Sequence, residues 1–463
     1  MKKMQKVLAA IVCAAVAVAS AGCNTSGTAD SSSVSAGGYN PAGNMAENTG
    51  AQPGGQEDTA VNENNPAMLT VEQLLALTPQ KMLSCAGYDE EKFLTPFYRS
   101  QIQYNEGFFL LENEAGGVDD VSFAFPVKKI LEIRSNDLNT VYREGEDYVL
   151  NDDGTVSIPA GSAIRPLSRS EFFTTGGQWK WDTSAGTVIN TTSTMYKGQY
   201  VCTYIRTDEY EGYTANACRE ELTAFREKTD AGEKVEILVL GDSIAAGAGR
   251  KDFDSWADMV ADGISWLSGS KTELFNAAVP GIHSGEYVAL IDWDPEESDN
   301  PNGVAAGILE DAKKKFSVTQ ERKSTADLVI IGIGGNDAGG WCGANGTAVS
   351  TYSANVEKMI SYIREANPDC SILLVSCMQT NPKIVDAATG NKLAAADFGA
   401  YEAALKEIAD ARENVGLANV YGVERGLLER KQIEDMLGDN INHPSDYMAR
   451  VYAQVILASL FDL

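Results

Sequence analysis

Histidine is nearly missing from this chain. Only two occur in 463 residues, His283 and His443. Any chemistry that needs an imidazole base has almost no choice of residue. No His-Glu-x-x-His and no Cys-x-x-Cys occurs, which removes zinc-hydrolase, zinc-knuckle and dithiol redox patterns. No metal and no cofactor is therefore expected. Positive charge is scarce as well: Lys and Arg number 37 against 65 Asp and Glu, a formal net charge of -28. Such a field repels phosphate backbones and anionic headgroups, so nucleic acid is not expected as a partner. Beyond the first two dozen residues no apolar run is long enough to cross a bilayer.

What is present begins with a targeting segment. Lys2, Lys3 and Lys6 precede the apolar run Val7 to Ala21, which is too short for a comfortable membrane span. It ends Ser20-Ala21-Gly22-Cys23, which resembles a bacterial lipobox with Ser20 where Leu is usual. The resemblance implies a signal peptide over residues 1–23, lipid on Cys23 and an extracytoplasmic, membrane-anchored protein. The alternative is an ordinary secretory signal with an incidental cysteine. Cys85, Cys202, Cys218, Cys342, Cys370 and Cys377 remain. Export permits disulfides, but no spacing dictates a pairing, and small buried hydrophobes are an equal reading.

Residues 24–66 are rich in Ser, Gly, Ala, Asn and Thr and offer little to bury, so a disordered tether is expected. A short helical segment follows at 67–87, starting near Thr70. Residues 88–208 change rhythm. Short β-branched and aromatic runs, such as 121–125, 129–133, 148–150, 187–189 and 200–205, alternate with turn signals. That pattern predicts a small all-β sandwich or jelly-roll domain. A helical linker is expected at 209–233. From 234 to 463 strands alternate with helices, with strands at 235–240, 273–279, 327–333, 371–377 and near 418–423. The helices fall near 255–267, 304–323, 354–366, 398–414 and 446–460. This is the rhythm of an α/β fold, a parallel sheet covered on both faces, with ligands at the carboxyl ends of the strands.

Four blocks sit at such ends or near them: Gly241-Asp242-Ser243, Asn276-Ala277-Ala278-Val279-Pro280-Gly281, Gly334-Gly335-Asn336-Asp337 and Asn440-Ile441-Asn442-His443-Pro444. Any one alone is weak evidence, and the first and third alone read as turns. In this order they resemble the SGNH (GDSL-type) hydrolases, over about residues 234–463. The resemblance implies a three-layer flavodoxin-like sheet, Ser243 as nucleophile and His443 as its base. A serine hydroxyl is a weak nucleophile until a base accepts its proton, and an imidazole can do so near neutral pH. The resemblance also implies oxyanion donors: the backbone N–H of Ser243, that of Gly281, and the side-chain amide of Asn336. The nucleophile is not in a Gly-x-Ser-x-Gly elbow.

One departure stands out. The family places Asp three residues before the histidine, and here that residue is Asn440. Asp439 lies one step earlier. Asp439, Asn440 or a backbone carbonyl could orient His443, and Asp439 is the first choice. Asp242 and Asp337 read better as acceptors that brace loops. His283 is either a pocket or a rim residue. Trp341 and Cys342, just past Asn336, are placed at the acyl pocket. Trp179 and Trp181 fit either sugar stacking or a half-buried core.

The expected activity is serine-dependent hydrolysis of short acyl esters, acetyl above all, on carbohydrate or a small ester. The acetyl and carbohydrate preferences come from resemblance to two-domain carbohydrate esterases with an N-terminal β-sandwich. Two alternatives use the same chain: acyl transfer to a sugar hydroxyl, and a surface carbohydrate-binding lipoprotein with weak or no catalysis, which Asn440 would permit.

Overall fold

A computed structural model describes residues 68–183, 188–189, 193–249 and 255–463. The signal segment, Cys23 and the expected tether lie outside the described residues. Five parallel strands form the central sheet: β1 (Val235–Gly241), β2 (Thr272–Asn276), β3 (Leu328–Gly332), β4 (Ser371–Val375) and β5 (Val415–Ala418). Their order is β2-β1-β3-β4-β5, the flavodoxin-like arrangement. Register is set by pairs such as Leu240 with Ile331 and Ile331 with Leu374.

Alternate residues serve two cores. Leu238, Leu240, Val329 and Ile331 face one, closed by helices Ser284–Ile291, Leu309–Arg322, Val349–Ala366 and Phe398–Asp410. Ile237, Val239, Leu328 and Ile330 face the other, closed by helices Trp256–Ser268, Val420–Leu427 and Asp446–Phe461. Burial on both faces explains the apolar runs 237–240 and 328–331. The strand expected near 418–423 lies earlier. Asn419 ends β5, and its side chain takes the Asn216 N–H and donates to the Thr214 carbonyl. Tyr421 then donates to Ser376 Oγ at 3.0 Å, inside the helix Val420–Leu427.

The region before 208 contains the two-stranded antiparallel pair Val149–Leu150 with Val156–Ser157 and contributes to two larger antiparallel sheets. One orders strands Ile102–Phe109, Gln199–Arg206, Val127–Ser135 and Val141–Tyr142. The other joins Trp179–Trp181, Val188–Ile189 and Phe173–Thr174 to Ile384–Asp386, a strand supplied by the parallel-sheet half. Ile102–Phe109 was not anticipated: Gln103, Asn105 and Glu106 interrupt its apolar pattern, yet all three are buried. The expected strand at 121–125 is reduced to one bridge, Val121 with Val156. Ala124 donates to Glu106 Oε1 and Phe125 to Tyr204 Oη, so backbone donors go to side chains instead of a ladder. Helix Val71–Leu77 opens with a capping box at Thr70, and helix Thr223–Ala231 lies within the expected linker. Residues Leu69–Leu463 form one compact unit. All six cysteines of the described residues are unpaired.

Candidate active site

β1 delivers Ser243 to a tight turn. Asp242, buried, accepts the Ile244 N–H on Oδ1 at 2.9 Å, and Ala248 donates to the Ser243 carbonyl at 2.9 Å. Asn276 closes the turn from β2 by donating to the Ala245 carbonyl. Burial pushes the Asp242 carboxyl up to about 6, against the pull of its backbone hydrogen bonds and of His443.

His443 arrives on a loop between helices Ile433–Met436 and Asp446–Phe461. The loop is pinched by the Leu437–Pro444 bridge and by the Gly438 N–H donating to the His443 carbonyl at 2.9 Å. Inside it the chain winds around one carboxylate. Asp439 Oδ1 accepts the N–H groups of Ile441, Asn442 and His443 at 2.8, 3.2 and 3.3 Å. Its other oxygen is left for the imidazole. His443 Nδ1 lies 2.5 Å from Asp439 Oδ2, and Nε2 lies 2.9 Å from Ser243 Oγ. A carboxylate only accepts, so Nδ1 carries the proton and Nε2 presents its lone pair to the serine hydroxyl. Burial works to lower the His443 pKa, but the Asp439 hydrogen bond and charge, with the charge of Asp242, outweigh it and hold the ring above the ordinary imidazole value.

The extra residue between acid and base is accounted for by Asn440. Its φ is +64°, a left-handed conformation that asparagine tolerates better than most residues. That turn lets Asp439, four residues before His443, reach the ring. Asn440 itself faces away: Asn381 Nδ2 donates to its carbonyl at 3.1 Å and to its Oδ1 at 2.9 Å. Of the three orienting groups considered from sequence, Asp439 makes the contact.

The oxyanion candidates also converge. Asn336 Nδ2 donates to the Ile282 carbonyl at 2.8 Å, tying it to the loop that carries Gly281. Gly281 has φ +87°, which favours glycine there. Among the described residues, no protein acceptor takes the N–H of Ser243 or Gly281. Asp337 does brace a loop, accepting the N–H and hydroxyl of Ser284 at 2.9 and 2.5 Å. His283 caps the helix Ser284–Ile291, with Nδ1 accepting the Gly285 N–H. Trp341 is 40% exposed and meets Trp179 edge to face at 6.2 Å. Its ring lies over Gly339, where an added Cβ would fall 2.4 Å from the indole, and the Gly339 N–H donates to the Asn336 carbonyl. Trp181 packs edge to face on Phe172.

Residues 239–451 match the model of the GDSL-like lipase/acylhydrolase family. The match lies over the parallel-sheet half of the chain, a little under half of its length. Among solved structures, a two-domain esterase active on acetylated mannans is 19% identical, with a TM-score of 0.37, over 55% of this chain and 56% of that one. The chain thus spans little more than half of that esterase's length. An acetyl xylan esterase is 16% identical over 49% of this chain and 100% of its own, with a TM-score of 0.34. A family 3 carbohydrate esterase from Talaromyces cellulolyticus is 17% identical over 49% and 97%, with a TM-score of 0.33. No curated protein matches the chain. Identities and scores this low leave the chemistry to be read from the residues.

Three residues of the candidate site give no sequence signal. Gly249, at φ +86°, packs so closely on His443 that a Cβ would fall 2.4 Å from the histidine Cβ. Tyr196 donates to the Gly249 carbonyl at 2.7 Å, and Asn381 holds Asn440. Each lies far in sequence from what it holds, so no local motif could show it.

Proposed function

We propose that this chain is a serine esterase acting through Ser243, His443 and Asp439. The observation that carries the reading is His443 lying between the other two, within hydrogen-bond reach of both. Ser243 Oγ attacks the ester carbon as its proton passes to His443 Nε2. Asp439 holds the tautomer and stabilises the imidazolium. Negative charge on the carbonyl oxygen is met by the N–H groups of Ser243 and Gly281 and by the Asn336 amide, each donor being worth about 3 kcal/mol in such sites. The C–O bond to the leaving alcohol breaks as Nε2 returns the proton to it. Water then attacks the acyl-enzyme by the same relay and releases the acid.

The substrate we propose is a short acyl ester, acetyl in the first instance, on a carbohydrate. Support comes from the exposed Trp341 beside Trp179, at the end of the segment that carries Asn336; an indole face of this kind suits a sugar ring. Anchoring outside the cytoplasm rests on the basic, apolar and Ser-Ala-Gly-Cys23 sequence of the N-terminus. Hydrolysis of p-nitrophenyl acetate, butyrate and octanoate by the chain and its Ser243→Ala variant tests the reading. Turnover that falls with chain length and vanishes in the variant is expected. Full activity in Ser243→Ala would sink it. Transfer to a sugar hydroxyl would show as acylated sugar in place of free acid.

A further inference from the structure

The loop that carries Asp439 and His443 is held from outside the acylhydrolase domain. Gln199, on the antiparallel strand Gln199–Arg206, donates from Nε2 to the Leu437 carbonyl at 2.8 Å, two residues before Asp439. Both partners are buried. Behind this contact stands a buried charge cluster. Lys431 Nζ lies 2.8 Å from Glu106 Oε1 and 3.5 Å from Asp435 Oδ2, and it donates to the Gly107 carbonyl at 2.8 Å. Glu106 Oε2 accepts the Tyr204 hydroxyl, and Asp435 Oδ1 accepts the Phe109 N–H. Gln432 Nε2 donates to the Phe109 carbonyl. Ile441, inside the loop, packs with Phe109, Leu167, Phe172 and Ile189 of the antiparallel region. An isolated Lys431 at this depth would be driven neutral; paired with two carboxylates it ties strand Ile102–Phe109 to the segment entering the loop.

We propose that Gln199 is a positioning residue for catalysis, setting the Asp439–His443 loop against Ser243 through the Leu437 carbonyl. The antiparallel region is then part of the catalytic framework and not an appended module. The inference rests on the triad reading above. A carbonyl two residues from the acid, released from its donor in a buried site, seeks another partner and moves the loop. Displacement of the base by about 1 Å can lower a rate about 100-fold.

The test compares Gln199→Met, which keeps length and removes the donor, with Thr203→Val on the same strand. Thr203 is buried and bonded to Asn105, away from the loop. Both variants are expected to lose stability. Only Gln199→Met should lower kcat, by about 10-fold to 100-fold with KM held. Because the chain has two histidines, a carbon-13 histidine label gives two resonances, assigned with His283→Gln. In Gln199→Met the His443 midpoint should fall by about half a pH unit or more as its contact with Asp439 loosens. A folded Gln199→Met with wild-type kcat and an unmoved His443 midpoint overturns the proposal, as does an equal kcat loss in Thr203→Val. Should Gln199→Met not fold, Gln432→Met, at an exposed position, must show the same shifts on a smaller scale or the proposal fails. The histidine titration needs no substrate, so it still decides the matter if Ser243 proves not to be the nucleophile.

Discussion

Leu238, Val239 and Leu240, which lead to Ser243, are fully buried and apolar, whereas Glu106 and Gln199, which hold the His443 loop, are just as buried and polar. The first group is fixed by a backbone ladder to β2 and β3. The second is fixed by side chains that span 238 and 324 residues of sequence, Gln199 to Leu437 and Lys431 to Gly107. A ladder tolerates many apolar side chains, because its bonds come from the backbone. A buried polar contact depends on one particular donor, and loss of that donor leaves its partner unsatisfied. The nucleophile thus stands on a generic support and the base on a specific one. Substitutions around Ser243 strands should act mainly through volume, and those around the His443 loop through geometry.

The largest effect should come from Ser243→Ala, which removes the one group both supports serve. Its kcat is expected to fall by about 10⁵-fold, with the melting temperature preserved. Asp439→Ala comes next, at about 10³-fold or more, read from initial rates. Burial and the Asp242 charge would remain while the Asp439 hydrogen bond and charge, the larger influences raising the His443 pKa, are removed, so the acid limb of kcat/KM should move to lower pH. Asn440→Ala is the contrasting change. It strains a left-handed position but leaves the triad, and should cost less than about 10-fold. If the two variants behaved alike, the orienting role of Asp439 would be wrong.

Lys431→Met asks whether the charge cluster ties the two regions together. It leaves Glu106 and Asp435 buried without their cation, and urea unfolding should show a loss of about 3–5 kcal/mol. A loss no greater than that of an ordinary surface change would separate the antiparallel region from the loop. The smallest effect is expected on the Ser243 side. The Asp242 pKa is raised on folding, to about 6, so its favourable contribution is complete at low pH and is lost as pH rises through that value. Asp242→Asn keeps the Oδ1 acceptor for Ile244 and removes the charge. It should exceed the parent in stability by about 1–3 kcal/mol at pH 8, and the gap should close below about pH 4. A gap that widened on acidification would reverse the assigned direction.

How far the sequence could be read follows the same division. Strands β1, β3 and β4 carry the apolar runs 237–240, 328–331 and 372–375 with turn residues near their ends, so pattern alone places them and the Ser243 and Asn336 turns. Strand Ile102–Phe109 escaped because Gln103, Asn105 and Glu106 break its alternation, and those residues are buried only because Phe97, Thr203 and Lys431 supply their partners. Asp439 could be ranked above Asn440 but not separated from it. The separation depends on a positive φ at Asn440 and on Asn381, 59 residues away.

Local order was therefore determined by the sequence itself: the parallel strands, the turn that bears Ser243, and the choice of His443 by the near absence of other histidines. Strand propensity, apolar runs and turn residues act between neighbours in the chain and can be read there. Which carboxylate meets His443, which glycine lets it pack and which glutamine holds its loop were decided only by the tertiary structure. Those contacts join residues that packing alone brings together, and a hydrogen bond exists only where two particular atoms come within about 3 Å.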